Sequence, residues 1–266
     1  MIGAIIGDIV GSRFEFNNHR SKDFELFGKG CFATDDSIMT FAIAQALLNA
    51  GGDYSKLGKL AVDNMRDVGR PYPHCGYGGM FRKWIYSDTM GAYGSFGNGA
   101  AMRVSPCGFA AKSLDESKIL SDKVTEVTHN HPEGLKGAEA TANCIFLAQS
   151  GVSIREIRDY VDRHYYTIDF TLGDIRDTYE FNETCQETVP QAIEAFLESA
   201  SFEDAIRNAI SIGGDSDTLA AITGGIAEAY YGVPQRLRDK AITYLDRKLL
   251  RILNDFEKIY KPKSGE

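Results

Sequence analysis

Three observations predict an all-α fold for this chain. Apolar residues recur at helical spacing along its length, capping signals open and close those runs, and no stretch alternates apolar with polar residues as a half-buried strand would. No linker divides the 266 residues, so one domain over 1–266 is expected. The apolar fraction of 43% is ordinary for a globular protein and provides for a substantial core.

In chain order, Gly3, Gly7 and Gly11 fall every fourth residue among Ile5, Ile6, Ile9 and Val10, a helical face that another helix can approach closely. The spacing is not that of a dinucleotide fingerprint, and no β-α-β alternation follows. Glu15 lies between Phe14 and Phe16; read alone, it is a surface residue rather than a pocket acid. Residues 17–33 read as a loop. Ile38 to Ala50 is apolar on nearly every face and ends at Gly51-Gly52, as a buried helix with a glycine cap would. Leu57, Leu60, Ala61, Met65 and Val68 place an amphipathic helix over 54–68.

Residues 69–99 carry Pro71, Pro73 and two glycine-rich stretches, the second being Gly94-Ser95-Phe96-Gly97-Asn98-Gly99. It reads either as a cradle of backbone amides for a phosphate or as a tight turn against a helix, and it lacks the Gly-Lys-Ser/Thr of a P-loop. His129-Asn130-His131 has no third nitrogen or thiolate ligand nearby, so capping, packing or stacking on a ligand is preferred to zinc. Helices are expected over 137–149, after the capping box Ser153-x-x-Glu156, from Pro190 as first residue to Leu197, and after Ser201-x-x-Asp204. Residues 167–189 read as an irregular excursion. A buried helix from Leu219 to Tyr231 ends at Gly232, and one long amphipathic helix is expected from Leu237 to Ile259.

The candidate chemistry sits at two helix mouths. Gly213-Gly214-Asp215-Ser216-Asp217-Thr218 runs into the small apolar helix at Leu219, and Thr34-Asp35-Asp36-Ser37 repeats the pattern near the other end of the chain. Carboxylates two residues apart converge only on a turn or in a helix's first turn, and two adjacent carboxylates exceed what one cap requires. Oxygen-only clusters of this kind suit Mg²⁺, Mn²⁺ or Ca²⁺. The net charge of −8 argues against a general nucleic-acid surface. Five scattered cysteines without C-x-x-C indicate neither a disulfide framework nor a zinc site, and hence a reducing compartment. Asp8 and Arg13 interrupt the first apolar run too early for a membrane span, so a soluble, cytoplasmic, monomeric protein is expected.

With both acidic stretches in hand, the chain resembles the ADP-ribosylglycohydrolase family. The resemblance runs from Gly3-Ala-Ile-Ile-Gly-Asp8 through Thr34-Asp35-Asp36 and Gly97-Asn98-Gly99-Ala100-Ala101-Met102-Arg103 to Thr128-His129 and Gly213–Thr218. It implies a compact orthogonal multi-helix bundle that binds two Mg²⁺ or Mn²⁺ ions and hydrolyses the bond between ADP-ribose and an ADP-ribosylated protein or small molecule. Carried over, Thr34, Asp35, Asp36, Asp215, Asp217 and Thr218 would be metal ligands. Glu15, with Asp35 and Asp36, would be catalytic, Glu15 contacting a metal or orienting water. Ser95, Phe96, Gly97, Asn98 and Gly99 would form the ADP-ribose loop, with His129 near the diphosphate or distal ribose. Ser37 replaces a common threonine, and Phe96 a common tyrosine whose hydroxyl is thereby lost. Two rival readings are a Mg²⁺-dependent all-α nucleotide pyrophosphohydrolase, which would release a nucleoside monophosphate, and a non-catalytic relative that only binds ADP-ribose.

Overall fold

The computed structural model describes residues 1–260, and in them the secondary structure is α-helical apart from two 3-10 turns, Tyr54–Lys56 and Asn98–Ala100, and an isolated bridge between Gly97 and Thr184. In chain order the helices are α1 (Ile2–Gly11), α2 (Asp35–Ala50), α3 (Leu57–Gly69), α4 (Gly79–Tyr86), α5 (Ser105–Ala110), α6 (Leu114–Thr125), α7 (Pro132–Gln149) and α8 (Ile154–His164). They continue as α9 (Leu172–Ile175), α10 (Cys185–Leu197), α11 (Phe202–Ser211), α12 (Ser216–Tyr231), α13 (Gln235–Ile242) and α14 (Arg247–Ile259). The all-α multi-helix bundle expected from the sequence is what forms. No described helix is long and apolar enough to cross a membrane.

At the centre lie α1 and α12. Every residue of α1 is buried, and α12 is buried from Ser216 to Ala229. The glycine stripe of α1 explains how closely they pack: a Cβ built on Gly7 would stand 1.9 Å from the Ala220 carbonyl oxygen, and one on Gly3 would stand 2.3 Å from that of Gly224. Both obstacles are backbone, so no rotamer change relieves them. Gly7→Ala is therefore expected to cost at least about 3 kcal/mol of stability, read as a lowered urea midpoint with an unchanged m-value.

Several boundaries differ from the sequence reading. Pro190 does not start a helix; it is the sixth residue of α10, where it gives up the bond to the carbonyl four residues back. The single helix expected over 237–259 is two, because the Asp246 carboxylate accepts from the amides of Lys248 and Leu249 and restarts the chain as α14. Helices α4, α5 and α6 lie where the sequence shows glycine-rich loop or no strong period, and the excursion over 167–189 holds α9 and the start of α10.

Candidate active site

The two acidic stretches meet. Thr34 caps α2 with its hydroxyl on the Asp36 amide at 3.2 Å, which puts Asp35 and Asp36 in the first turn. Gly213 and Gly214 both adopt φ +73°, a left-handed conformation that side chains disfavour. The turn they make sets Asp215 before α12 and Asp217 in its first turn. Asp217 stands near Asp36: single carboxylate oxygens of Asp8, Asp36 and Asp217 lie within 4.8 Å of one another, and so do those of Glu15, Asp215 and Asp217.

These groups border a cavity of about 370 Å³ lined by six carboxylates, those of Glu15, Asp35, Asp36, Glu183, Asp215 and Asp217. Burial, reinforced by Asp8, Asp35 and Asp215, pushes Asp36 well above the usual carboxylate range. Asp217 is raised well above it too, by burial and then by Asp215 and Asp36. Burial and Asp8 push Asp35 up to about 8, and burial with Asp215, Asp8 and Glu183 pushes half-buried Glu15 up to about 7. Asp215 is raised by burial and relieved in part by hydrogen bonds from neighbours, among them Asn98 and Thr218.

The donor set is what divalent cations need. It is all oxygen, and Asp36 Oδ1 is buried with no hydrogen-bond partner among the described residues, a costly arrangement for an acid unless a cation meets it.

Of the residues singled out in the sequence, Glu15, Asp35, Asp36, Ser95, Gly97, Asn98, Gly99, His129, Asp215, Asp217 and Thr218 all line the cavity. Glu15 is thus a pocket acid, not the surface residue its immediate neighbours suggest. Thr34 is buried beside the cluster and does not border the cavity, its hydroxyl donating to Asp8 Oδ1 at 2.6 Å. Phe96 does not border the cavity; it is 43% exposed and packs on His131 at 5.2 Å between ring centroids. Three of the loop's amides are committed: Gly94 donates to Asn130 Oδ1 at 2.8 Å, Gly97 to Ser95 Oγ at 3.2 Å and Asn98 to the Glu183 carbonyl at 2.7 Å. The start of α10 braces the loop, Cys185 donating its amide to the Phe96 carbonyl at 3.0 Å. Asn98 reaches across it, donating from Nδ2 to Asp215 at 2.7 Å and to Thr188 at 3.2 Å. His131 turns out to cap α7, accepting from the Glu133 amide.

Sequence reasoning missed two residues. Asp8 is fully buried in α1 and is held by donors: Oδ2 accepts from the amides of Thr34 (3.0 Å) and Ser37 (3.1 Å), and the Ser37 hydroxyl also bonds to it. A lone carboxylate in an otherwise apolar helix was the available signal. The second is Asn18, in the supposed loop. Its Nδ2 donates to the carbonyls of Phe14 (2.9 Å), Glu15 (3.0 Å) and Gly214 (2.9 Å), while Oδ1 accepts from the Gly214 amide at 2.8 Å. Arg20 adds bonds to the carbonyls of Ile212, Arg176 and Tyr179. Together they clamp the Glu15 segment to the turn bearing Asp215. Asn18→Ala is expected to lower stability by about 2 kcal/mol in chemical denaturation.

A family model described as ADP-ribosylglycohydrolase matches residues 1–262. Among curated proteins, the chain is 25% identical to the ADP-ribosylhydrolase ARH3 of Mus musculus, over 88% of this chain and 83% of that protein. It is 27% identical to the ADP-ribosylarginine hydrolase Tri1 of Pseudomonas putida, over 88% and 70% respectively. A solved structure described as an ADP-ribosylglycohydrolase-related protein complex has the same fold, with a TM-score of 0.71 and 21% identity over 97% of this chain and 95% of that one.

Proposed function

The chain belongs to the ADP-ribosylglycohydrolase family, and from that premise we propose that it hydrolyses the glycosidic bond between ADP-ribose and an ADP-ribosylated acceptor, using two divalent cations. The observation that carries this reading is the convergence of Asp36 and Asp217, from opposite ends of the chain, on one carboxylate-lined cavity. Relatives named for ADP-ribosyl hydrolysis support the substrate class.

Thr34, Asp35, Asp36, Asp215, Asp217 and Thr218 would hold Mg²⁺ or Mn²⁺, with Asp8 fixing the start of α2 from behind. Bound cations would grip the hydroxyls of the distal ribose and acidify the attacking water. Water adds at C1, the bond from C1 to the acceptor breaks, and the proton shed by the water ends on the departing acceptor. Glu15, at the edge of the cluster and open to the cavity, orients that water and takes its proton, while the transition state has oxocarbenium character. Ser95, Gly97, Asn98 and Gly99 form the wall for the rest of ADP-ribose, with Asn98 coupling that wall to Asp215.

The test is to incubate the purified protein with Mg²⁺ or Mn²⁺ and peptides ADP-ribosylated on arginine or serine, and with other ADP-ribosyl linkages, identifying products by mass spectrometry. Intact ADP-ribose is the expected product. Nucleoside monophosphate would instead favour phosphoanhydride cleavage, and tight ADP-ribose binding without turnover a non-catalytic role.

A further inference from the structure

His129 closes one side of the cavity, and the hydrogen bonds behind it have a fixed direction. Arg103 is fully buried, with Nε and Nη1 lacking any partner among the described residues. A guanidinium only donates. Its Nη2 donates to Thr128 Oγ1 at 2.7 Å and approaches His129 Nδ1 at 3.4 Å.

The Thr128 hydroxyl, having accepted from Arg103, has one proton to give. His129 Nδ1 stands 2.8 Å away and the Thr125 carbonyl 3.5 Å, so the bond goes to Nδ1. Placing a proton on Nδ1 instead would set it against the Arg103 N–H and leave the hydroxyl only the long contact. Burial and the Arg103 charge also hold the imidazole well below its usual pKa, which keeps the ring neutral.

The remaining ring proton is then on Nε2, which makes no hydrogen bond to a described residue. That atom faces the glycine loop: a Cβ on Gly99 would meet it at 3.3 Å and one on Gly97 at 3.8 Å. The amides of Gly97 and Asn98 are already spent on Ser95 and Glu183. Those two loop amides are therefore closed to a ligand oxygen, and the Nε2–H stands beside them as a donor with no partner among the described residues.

We propose that Arg103 and Thr128 are positioning residues that lock His129 as the neutral Nε2–H tautomer, presenting one fixed donor beside Gly97 and Gly99 to a phosphate oxygen of the ligand. The assignment of that oxygen rests on the ADP-ribosyl reading above; the tautomer does not. Thr128 acts through His129 and touches no ligand.

Two measurements test it. In ¹⁵N-labelled wild-type protein at pH 7, long-range ¹⁵N–¹H correlation should show His129 protonated at Nε2 and bare at Nδ1, its signal identified by loss in His129→Gln. In calorimetry, Thr128→Val should weaken ADP-ribose binding about tenfold, and Thr128→Ser, which keeps the hydroxyl, should stay within about twofold of wild type. An Nδ1–H ring or an imidazolium in the wild-type spectrum overturns the proposal, as does a folded Thr128→Val that binds like wild type. Failure of the wild-type protein to bind ADP-ribose, with the Nε2–H form present, removes the functional reading and leaves the relay standing.

Discussion

Asp217→Asn is expected to lower kcat/KM for the ADP-ribosylated substrate by at least about a thousandfold, ~4 kcal/mol of transition-state stabilisation. Asp217 is the residue shared by both acidic groups, so its replacement weakens two candidate cation positions at once. The isosteric amide keeps the packing at the mouth of α12. It also removes a buried carboxylate whose neighbours Asp215 and Asp36 disfavour its charge. The metal-free variant should accordingly melt no lower than wild type, and higher at alkaline pH, while its melting temperature ceases to respond to Mn²⁺. Measuring kcat/KM alongside melting separates this from misfolding. A variant that folds, ignores Mn²⁺ and still turns over substrate at the wild-type rate would exclude Asp217 from the chemistry.

The second large effect is on stability. In chelator, the wild-type protein is expected to lose about 10 °C in melting temperature between pH 5 and pH 8.5. The sign follows from the direction of the shifts. Asp8 is raised by burial to about 6, Glu15 to about 7 and Asp35 to about 8, with Asp36 and Asp217 also raised. A carboxyl whose pKa is higher in the folded state binds its proton more tightly there. Its contribution is complete below the unfolded pKa and is lost as pH rises through the folded values, here from about 6 to about 8. A divalent cation bound only by the folded state should reverse the loss, by about 2.7 kcal/mol at a hundredfold excess over its Kd. Differential scanning calorimetry with and without Mn²⁺ reads both effects. A flat pH profile in chelator would mean that these acids are not forced together.

How far the site was legible depended on where its residues lie relative to helix starts. Asp35, Asp36, Asp215 and Asp217 could be found because carboxylates in excess of a cap, directly before an apolar run, are locally anomalous. Asp8 was hidden for the opposite reason. It stands mid-helix, and its donors Thr34 and Ser37 come from 26 and 29 residues away. Asn18 carries no local signal, and Glu15 only the weak one of a carboxylate between two phenylalanines; what makes them matter is the fold that brings Gly214 and Asp215 beside them. The break between α13 and α14 shows the same limit at the level of the fold. The apolar period runs on through Leu245 and Leu249, and only the cap chemistry of Asp246 reveals the restart.

The pairing of α1 with α12 also dictates when this protein can mature. Helix α1 is apolar apart from Asp8, and the groove that fits its glycine stripe is encoded about two hundred residues later. Until α12 is made, that segment lacks the partner that buries it, and exposed apolar segments of this kind are where aggregation competes with folding. The cluster around Asp8 cannot close before Asp217 has been made, so the acidic centre assembles after the helices that lie between them in the chain.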